Sequence, residues 1–298
     1  MNYNFQLTEH FLEKFVSYYH NFIEDNTDSR ILYSFKSPDF KIIIYNSKKV
    51  MFQGVSGYEE YVKWAELLGL DIISKPEETS YSNNQYSHKK IIGSDEVGTG
   101  DFFGPVVVCA AYLTPKDDEL LESYNIRDSK ALTDKQIIET VPKLIDHISH
   151  HILVVHPEKF NSLTSEGYNM NKLKAYLHNH AIKKLVEQHP NYDFVILDEF
   201  CSPKNYFEYL KTETPFTNIQ FHTKAESVHK AVAVASMIAR YRFLLEMDKL
   251  SEKIHITLPK GAGAAVDAVG KVIFMKNGKD IFNSIAKTNF KNLDKITK

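Results

Sequence analysis

The amino-acid sequence predicts an α/β fold, a sheet with helices packed against it, preceded by a smaller α+β unit. Three observations lead there. Short apolar runs such as PVVVCAAYL and YDFVILD alternate with longer stretches whose apolar residues recur at helical spacing. The text between Leu70 and Lys90 is polar, contains a proline and holds no sustained period, as a linker does. A chain of 298 residues with 43% hydrophobic content can build one large core and one small one.

Near the start, LTEHFLEKFVSYYHNFI carries helical spacing, with Thr8 placed to cap it. FKIIIYNSKKVMFQG reads as two strands around the polar turn Asn46-Ser47-Lys48, because Ile42, Ile43, Ile44 and Val50, Met51, Phe52 flank it. A second helix, YEEYVKWAELLGL, ends at Gly69. Helix, hairpin and helix make a small α+β platform. Beyond the linker a short strand at Ile91–Ser94 leads to PVVVCAAYL, and further strands fall at HILVVH, YDFVILD and NIQFH. Helices are expected near 134–149, 169–189 and 226–248, and helical text at GAAVDAVGKVIFMKN and KDIFNSIAK closes the chain. The expected division is 1–72, a linker 73–90, and 91–298.

Several classes are disfavoured. No basic stretch followed by an apolar run opens the chain, and no run of about 18 apolar residues occurs, so a secreted or membrane protein is not expected. The expectation is a cytoplasmic protein with no membrane partner. Cys109 lies in an apolar run and Cys201 in a polar turn, which suits two reduced thiols rather than a disulfide framework or a zinc site. The thirteen histidines lack the paired spacing of a zinc hydrolase. The net charge of −2 is not that of a strongly basic nucleic-acid binder, but residues 271–298 hold seven lysines against Asp280 and Asp294. Such a segment suits either phosphate contact or a solvated end. No coiled-coil heptads appear, and a monomer is expected.

Four acids stand out. Asp95 and Glu96 lie where a strand runs into GTGDFFGP, and Asp198 ends VILDEF in the same way. Strand ends of α/β sheets collect ligand sites. Neighbours in a regular strand face opposite ways, so Asp95 and Glu96 converge only if the chain bends, which Gly98 and Gly100 make feasible. Glu226 falls in the expected first turn of AESVHKAVAVASMIARYRFL, where the helix dipole alone would account for an acid. Turn and cap roles therefore compete with a functional role for each carboxylate.

Taken together, SDEVGTGDFFGPVVVCAAYL, RDSKALTDKQI, VILDEF, TKAESVHKAVAVASMIARY and LPKGAGAAVDAVG resemble, in this order, prokaryotic ribonuclease HIII over roughly residues 91–290. The N-terminal unit resembles that family's TATA-binding-protein-like extension. The resemblance implies a ribonuclease H-like mixed sheet flanked by helices, and an endoribonuclease acting on the RNA strand of RNA–DNA hybrids. It implies Asp95, Glu96, Asp198 and Glu226 as catalytic, metal-holding acids for Mg2+ or Mn2+. Glu226 favours type 3, since type-2 relatives usually carry aspartate there. Two hard cations about 3.5–4 Å apart on carboxylate oxygens could activate water and stabilise the leaving oxygen.

The same resemblance suggests substrate contacts. Gly98, Thr99 and Gly100 would approach the 2′-hydroxyl that separates RNA from DNA, in place of a plain turn. Ser129 and Lys130, ahead of a helix near Thr133 or Asp134, suit phosphate or cap roles equally. In the following helix, Val232, Val234 and Ile238 are core candidates, whereas His229 and Arg240, with Lys260, are weaker candidates for substrate contact. In the N-terminal hairpin, Tyr45, Lys48, Lys49 and Gln53 would bind substrate, or Tyr45 and its neighbours only stabilise the sheet. Two alternatives stay open: cutting at single ribonucleotides in duplex DNA, which the missing arginine in the Gly98–Gly100 turn disfavours, and non-catalytic nucleic-acid binding, which the full acid set disfavours.

Overall fold

Side chains that alternate between the two faces of short strands set both sheets of this structure, a computed structural model that describes residues 3–54, 56–70, 72, 86, 88–124 and 132–298. The chain divides into two compact units, Met1–Glu78 and Thr79–Lys298.

In the first unit, β1 (Tyr3–Gln6), α1 (Glu9–Tyr18), β2 (Ile31–Lys36), β3 (Lys41–Tyr45), β4 (Lys49–Gln53) and α2 (Gly57–Leu67) follow in order. The antiparallel sheet runs β1-β4-β3-β2. Ile42, Ile44, Val50 and Phe52 turn inward against Phe15, Tyr61 and Trp64 of the two helices. Buried polar tips are satisfied: the Trp64 indole donates to the Tyr19 hydroxyl at 2.9 Å, which donates to Glu60 at 2.5 Å. The expected hairpin is β3–β4, but β1 and β2 extend it to a four-stranded sheet. Thr8 holds the N-cap position of α1 without a side-chain cap bond.

The second unit contains β5 (Ile91–Val97), β6 (Val106–Leu113), α3 (Asp118–Ser123), α4 (Asp134–Ile145), β7 (Ser149–Val155), α5 (Pro157–Ser165), α6 (Met170–Gln188), β8 (Phe194–Asp198), α7 (Pro203–Tyr209), β9 (Gln220–His222), α8 (Lys230–Ile254), α9 (Ala264–Asn277), α10 (Phe282–Ile285) and α11 (Lys291–Thr297). The mixed sheet has the order β7-β6-β5-β8-β9. β5, β6 and β7 pair antiparallel, while β8 and β9 continue from β5 in parallel.

The alternation of side chains gives the central strand β5 two distinct faces, both covered. Ile91 joins Val234 and Ile238 of α8 in one core, and Ile92 joins Ile182 and Leu185 of α6 in another. Gly93 lets α8 approach: a Cβ there would lie 2.4 Å from backbone atoms of Ala231 and Val232. Val232, Val234 and Ile238 are fully buried, as expected of core residues.

α8 begins at Lys230, later than the expected 226, because His229 caps it by accepting from the Ala231 amide at 3.0 Å through Nδ1. His229 is thus a structural cap rather than the substrate contact considered from sequence. Burial pulls its pKa down to about 4, the lysine beside it adds to this, and Asp118 opposes it.

Two predictions follow from this packing. Gly93→Ala must push α8 off β5 against backbone atoms, and should cost about 2–4 kcal/mol in chemical denaturation. His229 has its folded pKa below the unfolded value near 6.5, so between pH 6.5 and about 4 the unfolded chain binds the extra proton and stability falls as pH drops. His229→Asn keeps a capping acceptor and should remove up to about 3 kcal/mol of that acid-side loss, read from denaturation midpoints at pH 7 and pH 4.5.

Candidate active site

The two faces of β5 separate the acids it carries. Register with β6 continues through Val97, so the strand does not bend between Asp95 and Glu96. Asp95 faces α8, where Ser236 donates to it, and its Oδ1 also accepts from the Glu96 amide at 2.8 Å. Glu96 faces α6. The bend expected to bring the two carboxylates together therefore falls after them, at Gly98, where φ is +95°.

Burial, then the adjacent charge of Glu96 and a smaller contribution from Asp198, push the Asp95 carboxyl up to about 7. The hydrogen bonds from Ser236 and the Glu96 amide oppose this without prevailing. For Glu96, burial would also raise the carboxyl, but His178 and Lys174 outweigh it and hold the group below its usual range. Glu96 Oε2 lies 2.9 Å from His178 Nε2, and Oε1 pairs with the Lys174 ammonium.

Parallel pairing of Ser94 with Leu197 brings the end of β8, and so Asp198, level with Asp95. Asp198 Oδ1 accepts from the Ala225 amide at 2.9 Å, which ties β8 to the turn bearing Glu226. That turn is a short 3-10 segment, Ala225–Ser227, entered through Lys224 in the left-handed region at φ 56°. Glu226 is half-buried and precedes α8 instead of lying in its first turn, so the helix dipole does not account for it. Among the described residues, no three Asp, Glu, His or Cys side chains already stand together to hold a metal ion. The donor set is nonetheless one of carboxylate oxygens, and a desolvated Asp95 beside Asp198 and Glu96 has the chemistry that a hard divalent cation satisfies.

The turn after β5 is tied down from outside. A Cβ on Gly98 would lie 2.2 Å from the Pro105 carbonyl and against the Phe243 ring, so this glycine serves the turn itself. Thr99 is half-exposed and Gly100 exposed, with open space around the latter. The Phe102 amide donates to Gly261, the Gly104 amide to Ile285 and the Lys287 amide to Phe102, at 2.8–2.9 Å. Lys287, fully buried, places its Nζ 2.6 Å from the Gly104 carbonyl and 3.5 Å from those of Phe103 and Pro105. One of the seven terminal lysines thus holds the loop internally instead of facing phosphate.

Other expectations resolve differently. Arg240 bonds Asp134 and the Leu132 carbonyl, and Lys260 pairs with the same Asp134, so both are engaged within the protein. Thr133 caps α4 in a reciprocal box with Gln136. Ser129 and Lys130 lie outside the described residues. In the N-terminal unit, Tyr45 and Lys49 line an open cleft of about 600 Å³ with Asn4, Arg30, Asn46, Ser47 and Met51. Gln53 projects from the same face, with Nε2 4.0 Å from Met51 Sδ. Lys48 does not line the cleft; it adopts φ 62° and pairs with Glu9. Sequence reasoning missed Lys174 and His178, although a lysine and a histidine in register with the apolar stripe Ala181, Ile182 and Leu185 were a visible signal.

Comparison with known proteins matches residues 92–293 to the ribonuclease HII family model, and residues 2–68 to a domain of unknown function, DUF3378. Ribonuclease HIII of Phytoplasma mali (strain AT) is 42% identical over 99% of this chain and 98% of its own. Ribonuclease HIII of Listeria monocytogenes serotype 4b is 38% identical, covering 96% and 95%. Among solved structures, Bst-RNase HIII in complex with Mn2+ superposes with a TM-score of 0.69 at 35% identity, covering 99% of this chain and 98% of that one. By sequence along nearly its whole length, this chain belongs to the ribonuclease HIII family.

Proposed function

We propose that this ribonuclease H cuts the RNA strand of RNA–DNA hybrids at a site formed by Asp95, Glu96, Asp198 and Glu226 with two divalent cations, leaving 5′-phosphate and 3′-hydroxyl ends. The observation that carries this reading is the Asp95 carboxyl, half-buried and desolvated on the central strand with Asp198 level with it on the next. Such a group favours a cation, and Mn2+ is the ion in the Bst-RNase HIII complex. Mg2+ or Mn2+, when bound, supplies an activated water and charge stabilisation at the leaving 3′-oxygen. Asp95, Glu96, Asp198 and Glu226 would hold the ions, with Asp95 the acid expected to be shared between them.

The protein's own part is positioning. Ser236 and the Glu96 amide orient Asp95, and the Ala225 amide orients Asp198. The loop after β5, whose far end Lys287 holds at the carbonyls of Phe103, Gly104 and Pro105, would offer Gly98, Thr99 and Gly100 to the 2′-hydroxyl of the strand to be cut. Glu226 and the absence of arginine in that loop favour long hybrids over single embedded ribonucleotides. Residues 1–72 act as a substrate-binding platform, with Tyr45, Lys49 and Gln53 on the outer face of the sheet. A monomeric, cytoplasmic enzyme is part of the same proposal, drawn from sequence. Among the described residues no helix is long and apolar enough to cross a membrane.

Asp95→Asn and Glu226→Gln should each lower kcat on a labelled hybrid by about a thousandfold or more while leaving hybrid affinity within about threefold. Near wild-type cleavage by either variant in Mg2+ contradicts the assignment. A duplex with one ribonucleotide, assayed beside the hybrid, should be cut far more slowly; equal rates favour the type-2 activity. Replacing Tyr45 and Lys49 together with alanine should raise KM for the hybrid about tenfold at constant kcat, and Lys48→Ala should change it little, because that lysine is paired with Glu9.

A further inference from the structure

Two buried polar side chains of the second unit have no part in the reading above. Lys174 and His178, four residues apart on α6, both project onto Glu96. Their side chains are 9% and 0% exposed, and Glu96 is 12% exposed, so all three groups are removed from bulk water. His178 is fixed at both ring nitrogens, with Nε2 at Glu96 and Nδ1 2.7 Å from the Ser94 hydroxyl. Its ring stacks on Phe200 with centroids 5.4 Å apart. The Ser94 hydroxyl that meets Nδ1 also donates to the Cys109 carbonyl at 3.0 Å, so the ring is anchored to both β5 and β6. Lys174 is held differently: its ammonium contacts Oε1 of Glu96 and lies 4.1 Å from the centroid of Phe200, two residues beyond Asp198.

A carboxylate on the inner face of a sheet needs a positive partner, and here Lys174 provides it. Yet Oε1 is one of only two oxygens that Glu96 can offer to a divalent ion, and two cations contending for one buried oxygen repel one another. We propose that Lys174 is the resident cation of Glu96 in the metal-free enzyme and yields Oε1 when a divalent ion binds, while His178 holds Oε2 and aims the carboxylate throughout. The face of Phe200 gives the displaced ammonium a place to remain. Both are positioning residues, acting through Glu96, and the inference rests on the four-carboxylate reading of the site.

The two residues should move metal affinity in opposite directions, which a general loss of packing would not do. Mn2+ binding to the full-length protein, followed by the electron paramagnetic resonance signal of free Mn2+ at fixed pH, should be about tenfold tighter in Lys174→Met and Lys174→Gln. His178→Leu should bind about tenfold more weakly, and His178→Gln, which restores a donor, should recover most of that loss. Folding is checked by circular dichroism. If neither lysine variant folds, the wild-type protein decides: the 15N-lysine ammonium resonance of Lys174 should lose its protection from exchange on adding Mg2+. Equal or weaker Mn2+ binding in a folded lysine variant, or a Lys174 resonance unmoved at saturating Mg2+, overturns the proposal. Glu96→Gln in the same titration separates the layers. Unchanged binding in that variant overturns the four-carboxylate reading itself, whereas weakened binding with unmoved lysine variants overturns only the role given to Lys174.

Discussion

Burying negative charge on the central strand of the catalytic unit is the constraint on which the rest of this structure depends. β5 is covered on one face by α8 and on the other by α6, so each carboxylate it carries must find a positive or donating partner from one of those helices. Asp95 finds only the Ser236 hydroxyl and a backbone amide, and its carboxyl is driven up to about 7, chiefly by burial. Glu96 finds Lys174 and His178 and is driven the other way, although burial alone would raise it. One strand thus holds two adjacent acids in opposite electrostatic conditions, the asymmetry on which the proposed site rests.

The architecture around β5 serves to keep that arrangement fixed. Gly93 lets α8 lie against the strand closely enough for Ser236 to reach Asp95. The change from antiparallel pairing with β6 to parallel pairing with β8 brings the end of β8 beside the end of β5, where Asp198 stands level with Asp95. The turn carrying Glu226 is in turn anchored to Asp198 through the Ala225 amide. The glycine-rich loop that follows β5 is held by segments more than 150 residues distant, at Gly261 and at Ile285 to Lys287. A loop fixed in this way can hold Thr99 and Gly100 in a constant geometry, as the proposed ribose contact needs.

Much of this was legible in the sequence, and the reasons differ by element. The strands of the catalytic unit announced themselves because buried strands read as apolar runs, and the acids stood out because they interrupt those runs at their ends. The family resemblance supplied the mixed sheet, and the matches to ribonuclease HIII bear that out. β1 and β2 were not legible, since four residues of YNFQ and six of ILYSFK carry no flanking turn signal strong enough to separate strand from coil. The start of α8 was misplaced because His229 is an uncommon cap, and Glu226 then seemed to belong to the helix. Arg240 and Lys260 looked available for phosphate only because the salt bridges to Asp134 join positions more than 100 residues apart. The role of Lys174 and His178 is illegible for the opposite reason: they are polar residues inside an apolar helical stripe, and only the fold shows that their partner is Glu96.

On the proposed reading, the electrostatics of the acids on β5 favour divalent cations independently of any nucleic acid. Crystals of the free enzyme soaked in Mn2+ and measured at the manganese absorption edge test that most directly. Two anomalous peaks about 3.5–4 Å apart, with Asp95 contacting both, is the result expected. Manganese found only on exposed surface carboxylates, with Asp95 still bonded to Ser236 and the Glu96 amide, would contradict it.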